Sequence, residues 1–373
     1  MSSTNRSLIN PTANAKLDAA LRDKLRRRAD AAGSLGELVP LAVRLGLIQN
    51  SLKPRFRAPQ LVVFAGDHGL VVDSVVEPGR PTTMQLVMRL LTSQLPLSVF
   101  AGIHGLELSV VDCGMAEPTS SHARLLARKI AHGTRNSRVA PGMSIEQVHA
   151  AIRAGMEIGD SLPGNVVACA AIGEGSPEVA AALLSSLSGT PVSELLQNNA
   201  AASPAFLAHQ LSVLQAAQHR HRELEDPVEL LAALGGFEMA VMVGTLLVAA
   251  SRRHLILVDG IPALAALMVA SRISPAITDY CVFCRSHSHA GLDRALSLFR
   301  ASALLELGIG TVDGTGATLA WPLVRCAAAL LTEVAEGEDA GPTLPAGLES
   351  LPPAPQQAQT GWEPALKSGF RLE

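Results

Sequence analysis

The sequence predicts a doubly wound parallel α/β sheet, and three observations carry it. Five short β-rich apolar runs punctuate the chain: LVVFA (61–65), LSVVD (108–112), NVVACAAI (165–172), LILVD (255–259) and YCVFC (280–284). The runs are continuous rather than alternating, as strands covered by helices on both faces must be. Longer Ala/Leu-rich helical stretches separate them, the spacing of parallel strands joined by crossover helices. With 373 residues, 48% of them apolar, the chain has ample material for one large core.

Taken in order, residues 1–30 are polar and helix-prone and form an N-terminal helical segment. Their charge run, Arg26-Arg27-Arg28, reads as a solvated helix face. Residues 31–336 hold all five strands and form the α/β domain. Residues 337–373 carry six of the 23 prolines and little to bury, and are expected to form a loosely draped tail.

Composition excludes several partners. Thirty basic residues against 33 acidic ones leave no net field for a phosphate backbone, and eleven aromatics supply few base-stacking platforms. No nucleic acid is expected. The longest uncharged apolar stretch, 239–250, is too short for the ~20 residues that span a bilayer. The N-terminus lacks the apolar core of a secretory signal, and five scattered cysteines make no disulfide framework. A cytoplasmic protein with no membrane partner is expected.

The turns after the strands give the first functional hint. They read GDHG, DCG, GEG and DG, and bring Asp67, His68, Asp112, Glu174 and Asp259 to one sheet edge. In open α/β sheets the ligand crevice lies outside the carboxyl ends of the strands. Asp and Gly also end strands through turn chemistry alone, so the signal is their number on one edge. Glu174 is the carboxylate placed to stabilise a developing cation or accept a proton. Directly after it, Ser176, Pro177 and Glu178 read as N-cap, first helical proline and first-turn acid.

Two further Gly-rich turns open helices. Gly235-Gly236 precedes the Met239 helix and offers amides for an anion. Asp313-Gly314-Thr315-Gly316 precedes a helix starting near Leu319, with Asp313 a candidate base and Thr315 a candidate phosphate contact. GxGxxG and GxxxxGK[ST] are both absent, which argues against the common dinucleotide and nucleoside triphosphate sites. Cys281, Cys284, His287 and His289 have zinc-compatible chemistry. Alternation along a strand points the two cysteines to opposite faces, so core packing is the expected role and no metal is assigned. The His219–Arg222 run reads as an exposed helix surface.

The ordered motifs GSLGEL (33–38), VVFAGDHGL, VVDCG, GTRN with a following PGM, LGGFEMA, LVDG and DGTGATLAWPL closely resemble the nicotinate-nucleotide–dimethylbenzimidazole phosphoribosyltransferase family over residues 31–336. The resemblance implies transfer of phosphoribose from nicotinate mononucleotide to a 5,6-dimethylbenzimidazole-type base, giving the lower-ligand nucleotide of cobamides such as vitamin B12. It implies an α/β doubly wound parallel sheet with a small second domain built from chain-terminal helices, a homodimer, small-molecule substrates, no metal and no cofactor. An alternative is a base- or nucleotide-binding relative without catalysis, or one subunit of a heteromer with a related chain.

Carried over by motif, the family's GE carboxylate is Glu174, its LGG turn is Gly235 and Gly236, and its VTxQ pair is Thr83 and Gln85. The glutamate of its GEGTG motif, the proposed base, is Asp313 here. The implied site is therefore Asp313 and Glu174 as catalytic groups, with Asp67, His68, Thr83, Gln85, Gly175, Gly235, Gly236, Asp259, Gly314, Thr315 and Gly316 as substrate contacts. Several positions depart from the pattern. Asp is shorter than Glu by one C–C bond, about 1.5 Å. The loop after Glu174 is about two residues shorter and reads GSPE, a family lysine aligns with Gln210, and Val76 stands where serine is usual. Weak binding of nicotinate mononucleotide by the chain alone is therefore expected, and tight binding would point to Arg285 or Arg135 in place of the missing phosphate contacts.

Overall fold

A computed structural model describes residues 9–29, 34–196 and 202–334. Six strands form one fully parallel sheet: β1 (Gln60–Gly66), β2 (Glu107–Gly114), β3 (Leu125–Ala127), β4 (Val166–Ile172), β5 (Leu255–Asp259) and β6 (Cys281–Cys284). Their order is β3-β2-β1-β4-β5-β6. In the central pairing Phe64 stands beside Val111 on one side and Ala171 on the other. The five strands expected from the apolar runs are present within one or two residues. The sixth, β3, is a three-residue edge strand that no hydrophobic run announces.

The helices are α1 (Ala15–Ala29), α2 (Leu38–Ile48), α3 (Thr83–Leu91), α4 (Pro96–Ile103), α5 (Ile145–Ser161), α6 (Ser176–Ser188), α7 (Pro204–Arg220), α8 (Pro227–Leu234), α9 (Phe237–Ser251), α10 (Ile261–Ile273), α11 (Ala290–Leu298) and α12 (Thr315–Thr332). Every residue of β1, β4, β5 and β6 is buried, as a sheet covered on both faces requires. The apolar stretch 239–250 lies in α9, which is almost wholly buried. By length and composition a different stretch, Thr83–Ile103, is long and apolar enough to cross a membrane. It is not one helix: α3 ends at Leu91 and Pro96 starts α4, with Thr92 to Leu95 between them.

The chain-terminal helices meet. Leu21 and Leu25 of α1 are buried in the main core, and α1, α2 and α12 pack on one another. Arg28 donates to the Leu330 carbonyl at 2.7 Å, while Arg26 and Arg27 pair with Asp23 on the exposed side. The described residues cluster as one compact unit, and the tail expected over 337–373 lies outside the described residues. His221 departs from expectation: it is 8% exposed, and its Nε2 lies 2.9 Å from the Ser137 carbonyl oxygen, so it staples the end of α7 to a loop.

The order in which strands are added reverses between β1 and β4, the topological switch point of a doubly wound sheet, where a ligand crevice opens at the carboxyl edge. There the chain leaves β1 as Gly66-Asp67-His68 and β4 as Gly173-Glu174-Gly175.

Candidate active site

A crevice of about 620 Å³, counting its open mouth, lies at that edge. Arg80, Glu174, Gly175, Glu178, His287 and Asp313 line it. A second lobe shares Glu178, His287 and Asp313 and adds Gln210 and His289. The two carboxylates singled out from sequence, Glu174 after β4 and Asp313 before α12, therefore wall one crevice.

Asp67 and Thr83 form scaffold behind Glu174. The Thr83 hydroxyl donates to Asp67 and accepts from the Glu174 amide at 2.9 Å. The other Asp67 oxygen accepts from the Ala116 amide at 2.6 Å. This chain of bonds ties the turns after β1, β2 and β4 to the start of α3. Gln85 is exposed and faces away: its side chain accepts from the Thr82 amide in a capping box of α3.

His68 is not presented to the crevice. Its imidazole is fully buried, with Nε2 3.0 Å from Glu238 Oε1, and the Ser176 hydroxyl donates to the same oxygen at 2.9 Å. Burial disfavours the charged ring, but Glu238 outweighs it and holds His68 above its ordinary value. Gly235 and Gly236 are buried beside this group. A Cβ on Gly236 would overlap both Glu238 and His68, so glycine is what lets Glu238 fold back over the start of its own helix. The Glu238 carboxylate thus stands beside the start of α9, where an external anion was expected, without bonding to that helix's amides among the described residues.

Helix α12 begins at Thr315 rather than near Leu319. Asp259 is 0% exposed, and its Oδ2 accepts from the Ser286 hydroxyl at 2.7 Å and from the Gly314 and Ala317 amides at 3.0 Å each. The Gly316 amide donates to Ser286 Oγ at 2.8 Å, and the Thr315 hydroxyl to the Val312 carbonyl at 2.7 Å. These donors are spoken for, so Gly314, Thr315 and Gly316 do not offer the phosphate contact expected of them. Burial, then the neighbouring Asp313 charge, pushes Asp259 up to about 6.

At α6 the cap is Gly175, at φ +80°, and Ser176 is already helical, its hydroxyl turned to Glu238 instead of capping. Glu178 is 6% exposed, walls both lobes, and its Oε2 has no hydrogen-bond partner. Burial raises its pKa, opposed by Arg80 at 3.8 Å. Gln210, in the aligned lysine's place, donates to the Val75 carbonyl at 2.8 Å.

Two crevice residues escaped the sequence reading. Arg80 sits in the loop before α3, 3.3 Å from Glu77, and is the cation on the crevice wall. Arg285 is instead buried between Asp293 and Glu306, and Arg135 is exposed with no part in the lining. His287 follows β6 as Asp67 follows β1, so the strand-end signal was available but was read only as a metal pattern. Its Nε2 lies 3.3 Å from Asp313 Oδ1, an ion-pair contact outside hydrogen-bond alignment. Cys281 and Cys284 are buried in β6, and no described group of three or more His, Cys, Asp or Glu is placed to hold a metal.

Residues 10–341 match a family model described as phosphoribosyltransferase, a span that takes in α1 as well as the region of the sequence motifs. The chain is 39% identical over 332 residues, 87% of its own length and 96% of the other's, to the nicotinate-nucleotide–dimethylbenzimidazole phosphoribosyltransferase of Cupriavidus taiwanensis. It is 38% identical over 331 residues, 87% and 95% of the two lengths, to the enzyme of that name from Dechloromonas aromatica. Among solved structures, the nicotinate-nucleotide–dimethylbenzimidazole phosphoribosyltransferase of Thermus thermophilus superposes with a TM-score of 0.78 at 27% identity, covering 86% of this chain and 96% of that one.

Proposed function

The chain belongs to the nicotinate-nucleotide–dimethylbenzimidazole phosphoribosyltransferase family, and we propose that it makes the lower-ligand nucleotide of a cobamide in the crevice between β1 and β4. The observation that carries the proposal is the meeting of Glu174 and Asp313 in one crevice, from turns far apart in sequence. The reaction breaks the bond between ribose C1′ and the pyridine nitrogen of nicotinate mononucleotide, and the electron pair leaves with nicotinate. One azole nitrogen forms the new bond to C1′ while the other loses its proton. Glu174 supplies negative charge beside the oxocarbenium-like centre. The Asp313 end of the crevice receives the proton.

Arg80 is the group proposed to meet the donor's 5′-phosphate, since the amides at α12 are taken by Asp259 and the start of α9 is buried beside the Glu238 carboxylate. A lost charge-assisted contact costs about 1.5–3 kcal/mol, so Arg80→Ala should raise the KM for nicotinate mononucleotide by roughly 10–100-fold. The KM for the azole should stay within about twofold. Incubating the purified protein with nicotinate mononucleotide and a panel of benzimidazoles and phenols, and following nicotinate release, tests the function. No release with any base would sink it.

The blocked helix starts also favour a second reading, a base-binding relative or one subunit of a heteromer whose partner chain supplies phosphate contacts. Calorimetry separates the two: low-micromolar donor binding by the chain alone supports the self-sufficient enzyme. The proposed working form is a cytoplasmic homodimer, with residues 31–336 as its catalytic region.

A further inference from the structure

Within that proposed reaction, two titratable groups of the crevice wall, His287 and Asp313, touch each other, and they are unequally placed. Asp313 is the deeper, with 9% of its side chain exposed against 27% for His287. The His287 ring meets Asp313 through Nε2, and Nδ1 has no hydrogen-bond partner among the described residues. The backbone around the ring is fixed on both sides. Ser286 is buried, with its hydroxyl bonded to Asp259 and to the Gly316 amide, and its carbonyl accepts from Thr311 at 3.0 Å. His287 itself bridges to Gly310.

We propose that His287 is the catalytic residue that takes the azole proton, through Nδ1, and that Asp313 is the positioning residue that holds Nε2–H behind it. This rests on the phosphoribosyl-transfer reading above. It also accounts for the shorter acid at 313: the imidazole spans the distance that a glutamate would otherwise reach. As one azole nitrogen bonds to C1′ and nicotinate leaves with the C1′–N pair, the proton on the other azole nitrogen passes to Nδ1. The imidazolium is stabilised by Asp313 and returns its proton to water after product leaves. The 3.3 Å contact is of the kind that tightens once substrate excludes solvent.

The groups facing His287 are Asp313 and Asp259, which favour its charged form, and Arg80, which opposes it; His289 beside it is held down to about 4, chiefly by burial, and Glu174 and Glu178 wall the same crevice. Burial lowers the ring's pKa, but the two aspartates outweigh burial, and the net shift is upward from 6.5. A base must be neutral to accept a proton. Activity should therefore rise with pH through a value above 6.5 and fall below it.

The test is kcat/KM for the azole, at saturating nicotinate mononucleotide, across about pH 4.5 to 9. The expected wild-type profile has its acid limb above 6.5. His287→Gln should lose roughly 10²–10⁴-fold, the usual contribution of a positioned base, and lose that limb. Asp313→Asn should keep a limb but move it downward, because the partner that raises the ring is gone, and Asp313→Glu should restore it. An acid limb near the carboxylate range that His287→Gln leaves in place would overturn the assignment and make Asp313 the base. Nicotinate release that fails at every pH and with every base would instead overturn the phosphoribosyl-transfer reading, and this assignment with it.

Discussion

Gly155→Ala should lower the thermal midpoint by roughly 4–5 °C, the shift expected of about 3 kcal/mol at ~2.1 cal/mol/K per residue in a unit of this size. Gly155 lies where α5 crosses α9, and a Cβ there would overlap the Val241 carbonyl oxygen. Its own carbonyl accepts from the Thr245 hydroxyl at 3.0 Å, which pins the two helices at that distance. The contact is reciprocal: a Cβ on Gly244 of α9 would overlap the Ile152 carbonyl oxygen of α5. Both obstacles are backbone, so no rotamer change relieves them. The helices must separate, and one separation clears both clashes. The double variant should therefore lose little more than either single one, a sub-additive cycle measured by denaturant unfolding. Additive losses would mean that the two glycines act independently and that the crossing is not held as one contact.

Glu238→Ala should cost about 3–5 kcal/mol, because it strands a buried imidazole rather than merely removing a bond. His68 would lose its ion-pair partner and the Ser176 hydroxyl its acceptor, in a space that solvent does not reach. The pair also sets a pH dependence of stability. His68 has its folded pKa raised above 6.5, chiefly against burial and by Glu238. Its contribution is fully present below 6.5 and fades as pH rises through the folded value. Wild-type stability should thus contain a component that declines above pH 6.5, and His68→Gln should remove it. A stability profile identical in both proteins would show that the pair does not titrate in this window.

The sheet was legible because buried parallel strands write themselves as unbroken runs of Val, Ile, Leu and Ala. The missing strand, β3, is three residues at the sheet's edge, one of them half-buried and two exposed. No periodicity can be read from so short and wet a segment. The family was legible from the order of its motifs, and the strand-end rule put Glu174 and Asp313 on the right edge. It could not say which way each side chain turns. Asp67, His68 and Asp259 all end or follow strands on that edge, yet their partners, Thr83, Glu238 and the start of α12, come from distant parts of the chain and draw them under the crevice floor. Gln85 was misplaced for a local reason, since its capping of α3 is a bond to a residue three positions away. Arg80 lies in a Pro- and Gly-rich loop with no pattern around it, and only the folding of that loop over α6 brings it into the wall.

The blocked helix starts change what small ions can do to this protein. Asp259 is a tethered anion bonded to the start of α12, and the Glu238 carboxylate is buried beside the start of α9; both are held at an effective concentration that no dissolved salt approaches. Inorganic phosphate then has little to compete for beyond Arg80, where Glu77 and Glu178 already share the charge. The crevice is shielded from the background of free oxyanions in a cell, and a phosphorylated substrate must gain entry through what else it carries, its ribose and its ring.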